Sequence, residues 1–297
     1  MKRALICAAA LYRVADALAG PFDAALPGLQ ELAAIPSDDP RIRGWATGYV
    51  EALTQRGPID ITDPNGFLAS FGTPGSVFGP ADAPIGGGAD PATVLSLGDG
   101  GYITLTFARA IANGPGPDFA VFENAFNDTF LELAFVEVST NGSDFFRFPN
   151  VSLTPLGAQI DQTDPNHSAI DATNIDGLAG KYRARLGAPF DLQRLAGVSP
   201  TLNVDDVRYV RVRDVIGYIG GSVATGTASA DTAATYQYFG LSFAQNHLIN
   251  DPYPTDFSTG GFDLDAVAVL NVIPEPQTSL LLVAGIGPLA IRRRKGG

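Results

Sequence analysis

The chain predicts an all-β fold: an antiparallel β-sandwich of jelly-roll type, with one short N-terminal helix and a C-terminal membrane-anchor helix. Three observations predict it. Residues 102–107 alternate apolar Ile103, Leu105 and Phe107 with Tyr102, Thr104 and Thr106, a period of two that turns one face of a strand to a core. Further apolar runs at 119–122, 131–139 and 145–148 are separated by a Gly/Pro-rich turn at 113–117 and by Asn141-Gly142, a strong hairpin signal. The 34 glycines and 22 prolines are spread between such runs, where an all-β chain places its turns.

With 297 residues, 45% of them hydrophobic, the chain can build one large sandwich, and it divides into a leader (1–19), a β-sandwich body (20–272) and a tail (273–297). Residues 1–19 hold three basic groups and one acid, and residues 273–297 hold four and one, which leaves twelve basic against 29 acidic residues in the body. A body so acidic repels nucleic acid and anionic lipid, and suits divalent cations or plain solubility. The single cysteine, Cys7, falls in the leader, so the body has no disulfide.

Met1 to Ala19 reads as a secretory signal: Lys2 and Arg3, an apolar stretch 4–12, then the small-residue cleavage site Ala17-Leu18-Ala19. The N-terminal helix is predicted next. Ser37, Asp38 and Asp39 offer caps, Pro40 suits a first turn, and Ile42, Trp45, Ala46, Tyr49, Val50 and Leu53 recur at helical spacing, with Gly57 as the stop. The β-branched and aromatic residues at 47–50 also leave open a short helix followed by a first strand. Trp45 reads as core in either case. Residues 72–90 form a Gly/Pro loop whose triplet 86–88 lacks the Lys-Ser/Thr and the helix of a phosphate cradle. Residues 161–176 are polar and turn-like, without the spacing of a calcium-binding helix–loop–helix.

Residues 207–215 alternate, with Val210 and Val212 on one face and Tyr209, Arg211 and Arg213 on the other. Residues 217–235 read as a low-complexity insertion and 236–243 as a further strand. The last strand starts at Asp263, and period two places Asp265 on the face of Val267 and Val269. A carboxylate there needs a cation or several hydrogen-bond donors.

The last residues resemble a PEP-CTERM sorting signal: Pro274, Glu275 and Pro276, an apolar stretch 278–291, then Arg292, Arg293, Arg294 and Lys295. The resemblance implies processing by an exosortase-type enzyme during export, with the basic cluster kept cytoplasmic. The apolar stretch is short for a span and is interrupted by Pro288. The segments FAVFEN (119–124), ELAFVEVS (132–139), LAGKYR (178–183) and GFDLDAV (261–267) are similar to those of uncharacterised surface proteins bearing such tails. More distantly, VEVSTNG (136–142) and VRYVRV (207–212) resemble strands of galactose-binding-like, discoidin-type jelly rolls. That likeness implies a structural Ca²⁺ with Asp265 as a ligand. Asp263, Asp118 and Glu123 are added as ligands on chemical grounds, because hard cations take carboxylate oxygens at strand ends.

The function expected is therefore that of an exported, non-enzymatic module of the cell envelope or surface, anchored at least transiently by its tail, structural or in contact with exopolysaccharide, and carrying Ca²⁺. The alternative is a secreted hydrolase with a glycosidase-like carboxylate pair, Glu123 and Glu137, or Glu132 with an aspartate. A nucleophilic hydrolase is disfavoured, since no G-x-S-x-G occurs and His167 and His247 are the only histidines.

Overall fold

A computed structural model describes residues 20, 22, 33–63, 65–86, 90–154, 170–219, 222–223, 235–238, 241–244, 249–253, 255 and 257–273. The leader, most of the polar loop at 161–176, most of the low-complexity insertion, both histidines and the sorting tail lie outside these residues. Among the described residues no helix is long and apolar enough to cross a membrane.

The strands follow in chain order as β1 (Ile35–Pro36), β2 (Gly44–Tyr49), β3 (Leu95–Ser96), β4 (Tyr102–Ile111), β5 (Phe119–Glu123), β6 (Ala134–Ser139), β7 (Phe146–Arg147) and β8 (Val151–Ser152). They continue as β9 (Ile175–Asp176), β10 (Leu186–Phe190), β11 (Val207–Asp214), β12 (Tyr218–Ile219), β13 (Ser222–Val223), β14 (Thr235–Tyr238), β15 (Leu241–Ala244) and β16 (Asp263–Val269). Ten of them form one sheet in the order β1-β10-β5-β16-β2-β4-β11-β6-β7, with β3 also on β16. Every pairing in it is antiparallel, and the sheet curls into a half-barrel. The fold is thus all-β, as the alternation at 102–107 predicts.

The inside of the curl holds the main core, with Ile103, Leu105, Val121, Val136, Val138, Val210, Val212 and Val267 among its buried members. Phe119, Phe148 and Phe190 pack there ring to ring, 5.0–5.7 Å between centroids. Each fully buried phenylalanine contributes about 1.5–3 kcal/mol by leaving water. Smaller apolar clusters cover the outside, one around Phe122, Ala266 and Ala268 beside Trp45, another around Leu131, Leu133 and Phe135.

The predicted N-terminal helix is a strand. Residues 44–49 form β2 between β16 and β4, followed by a single 3-10 turn at Glu51–Leu53. Gly44, Thr47, Gly48 and Tyr49 are poor helix residues within six positions, and sheet pairing on both sides outweighs the helical spacing of the apolar ones. Gly48 also admits close approach: a Cβ there would stand 2.8 Å from Thr106 Oγ1. Trp45 packs its ring 5.6 Å from that of Phe122, on the outside of the curl.

Candidate functional site

Strand direction decides where the acids go. In an antiparallel sheet the end of one strand lies beside the start of its neighbour. Glu123 ends β5, Asp263 starts β16, Asp214 ends β11, Glu132 precedes β6 by two residues and Asp99 precedes β4 by three. Leu264 pairs with Glu123, Asp214 with Ala134 and Arg213 with Tyr102, so all five acids meet at one rim of the half-barrel. Asp251 joins them by accepting from Leu133 N–H at 2.9 Å. Lys181, just ahead of β10, is buried nearby with Nζ 5.3 Å from the Tyr182 ring centre.

Each carboxylate is buried, and each is held differently. Asp214 accepts from Gly100 N–H at 2.8 Å and Phe262 N–H at 2.7 Å. Asp99 accepts from Ile61 N–H at 2.8 Å and from the Thr255 hydroxyl at 3.3 Å. Asp263 takes the Ser96 hydroxyl on one oxygen and Asn124 Nδ2 on the other, the latter at 3.2 Å. Arg56 secures this corner from outside by donating to the carbonyls of Phe71, Gly72 and Ser96. Glu123 is 1% exposed; its Oε2 accepts from Ala125 N–H at 2.7 Å, and among the described residues its Oε1 has no hydrogen-bond partner.

Burial is the main reason that these acids hold their protons. It raises Asp99 and Asp263 to about 7 and Asp214 to about 8, against the donors that pull them down. Glu123, Glu132 and Asp251 are pushed well above the ordinary carboxylate range by burial first and by neighbouring acids second, and Asp263 is the charge that acts most strongly on Glu123.

The four predicted cation ligands are divided. Glu123 and Asp263 belong to the rim. Asp118 immediately precedes β5 and lies at the opposite end of that strand from Glu123, where Gly114 N–H, Asn271 Nδ2 and Leu192 N–H donate to it at 2.7–2.9 Å. Asp265 is the extra residue of a bulge in β16, because Leu264 faces Glu123 while Ala266 faces Phe122. Its two oxygens accept from Asp82 and Ala83 N–H at 3.1 and 3.3 Å. Among the described residues no three His, Cys, Asp or Glu side chains are grouped as a metal ion needs. A cation at this rim would rest on Glu123 and Asp263; Ser96 meets Asp263 through its hydroxyl and Asn124 through Nδ2, so Asn124 would have to turn its Oδ1 inward to serve as a further oxygen. Carboxylate and hydroxyl oxygens are the donors that a hard divalent ion takes.

Sequence reasoning missed Asp99, Asp214, Asp251, Lys181, Ser96 and Asn124 as site residues. For Asp214 the available signal was positional, an acid at the last position of an apolar run; the others carry no such signal. Glu137, paired with Glu123 in the hydrolase expectation, is elsewhere. It lies within β6 and accepts from Arg147 at 2.8 and 3.0 Å. Comparison with protein-family models, with curated proteins and with solved structures finds no match to this chain.

Proposed function

We propose that the chain is an exported, surface-retained, non-enzymatic β module of jelly-roll type, whose acidic rim takes up a divalent cation, Ca²⁺, and which contacts exopolysaccharide. The observation that carries the reading is Glu123: a carboxylate at 1% exposure, among further acids, with one oxygen unpaired. A buried carboxylate oxygen without a donor is costly, and a hard cation would supply a contact for Oε1 that Ala125 N–H supplies for Oε2. Glu123, Asp214 and Asp263 lie at 1–4% exposure, out of reach of a polymer's glycosidic bond, which favours cation binding over hydrolysis. The tail resembling a PEP-CTERM signal supports export and handling by an exosortase-type enzyme.

The test is a thermal melt of the purified full-length chain against Ca²⁺, Mg²⁺ and chelator, with Tb³⁺ luminescence as a second readout. A Ca²⁺-dependent rise in melting temperature that Glu123→Gln and Asp263→Asn both abolish is the expected result. A melt indifferent to every cation tried removes the ion from the account.

A further inference from the structure

We propose that the outward face of β11 binds an anionic saccharide, one that carries carboxylate or sulfate groups on a hydroxylated chain. This rests on the reading of the molecule as a saccharide-contacting module and names the ligand class and the surface.

The strand turns Val207, Val210 and Val212 into the core, fully buried, and leaves Arg208 exposed and Tyr209, Arg211 and Arg213 half-buried; its register on β4 shifts between Val207 and Tyr209, with the extra residues in β4. The outward row is therefore Arg208, Tyr209, Arg211 and Arg213, with no acid in it. Two of its guanidinium groups lie over aromatic rings. Arg211 Cζ lies 3.5 Å from the Phe145 ring centre and Arg213 Cζ 4.2 Å from that of Tyr102. Glu137 is shared by Arg147 at 2.8 Å and Arg211 at 3.4 Å, so one carboxylate serves two cations. Among the described residues Arg213 commits one N–H, to Gly100 O at 3.2 Å, of the five that a guanidinium carries.

The row runs into a hollow of about 390 Å³ lined by Thr106, Phe107, Asp206, Arg208, Tyr209 and Ile273. That volume lies in the range of small-ligand sites. Arg208 forks onto Asp206 through two contacts of 3.0 and 2.9 Å, which fixes donors and acceptors side by side at its wall. Aromatic rings with a fixed polar fork suit a hydroxylated ring, and the arginines beyond suit its anion. In a chain of net charge −12, a densely charged polyphosphate is repelled by the rest of the body. A saccharide that bears one anion per ring or fewer meets the strip with less opposition.

The test is calorimetric titration of the full-length chain with oligogalacturonate, a dextran sulfated at no more than one position per ring, and neutral dextran at low and high sodium chloride. Binding of an anionic probe that weakens with salt, with neutral dextran silent, is expected. Arg208→Gln and Arg213→Gln should each weaken it about tenfold. Arg183→Gln, which removes the same charge from a surface pair with Asp128, should not. Melting curves verify that each variant folds; if Arg213→Gln does not, the exposed Arg208→Gln carries the comparison. Oligogalacturonate alone or the sparsely sulfated dextran alone as the binder assigns the anion as carboxylate or sulfate. No binding, or binding that all three variants retain equally, overturns the proposal. If the Ca²⁺ melt shifts as expected while no saccharide binds, this inference fails and the cation reading stands.

Discussion

Glu123 is where the chain's own stability and its proposed chemistry pull apart. In the metal-free fold its carboxyl is better protonated, since burial and Asp263 oppose its charge; in the unfolded chain it ionises near its ordinary value of 4.5. Holding that proton costs about 1.4 kcal/mol for each pH unit above the unfolded value, until the folded group itself ionises. Glutamine keeps the shape without the cost. Glu123→Gln should therefore melt higher than the parent in chelator, by a margin that widens from pH 5 to pH 8, while losing its response to Ca²⁺. Matched melts at several pH values check this, and a variant less stable than the parent at pH 8 would refute it. Asp118 should behave in the opposite way. Three donors converge on it, so Asp118→Ala should lose about 1–3 kcal/mol by chemical denaturation and keep the full Ca²⁺ shift.

Three elements show how far local pattern reaches. β4 is legible because Ile103, Leu105 and Phe107 repeat at period two. β2 is not, because its apolar residues fit the helical spacing equally well, and only its partners, β16 and β4, break the tie. β16 is legible as a strand but not in its register. Strict alternation puts Asp265 with Val267 and Val269, whereas the bulge aligns Leu264 with them and frees Asp265 for the loop at 81–83. That loop is clamped from both sides: Asp265 takes two of its N–H groups, and Arg185 donates to the carbonyls of Ala81, Asp82 and Ala83 at 2.7–2.9 Å. Asp265→Ala and Arg185→Ala should each cost about 1–3 kcal/mol. Because both act on one three-residue loop, the double variant should cost less than their sum. A double-mutant cycle by urea denaturation measures the difference, and strict additivity would mean that the loop is not the shared element.

The rim belongs to the whole molecule. Glu123 and Glu132 are separated in sequence from Asp214 and from Asp263, and each looks like an ordinary acid at or near a strand end; only the strand order shows that these ends share a side. Six buried acids at one rim give the molecule a pH profile with a definite sign. Those with raised values, from about 7 for Asp99 and Asp263 to about 8 for Asp214, bind more protons folded than unfolded once pH exceeds the ordinary carboxylate range. Where the folded state binds more protons, stability falls as pH rises. The metal-free chain should thus be most stable near pH 4–5 and weaken as pH passes through these raised values, where the acids ionise against one another. Ca²⁺ bound at the rim as proposed would compete with those protons, so its stabilising shift should be small at pH 5 and large at pH 8. Differential scanning calorimetry across that range, with chelator and with Ca²⁺, tests both limbs. A metal-free protein that gains stability between pH 5 and pH 8 would mean that the rim acids are already ionised and paired, and the case for a cation at Glu123 would go with it.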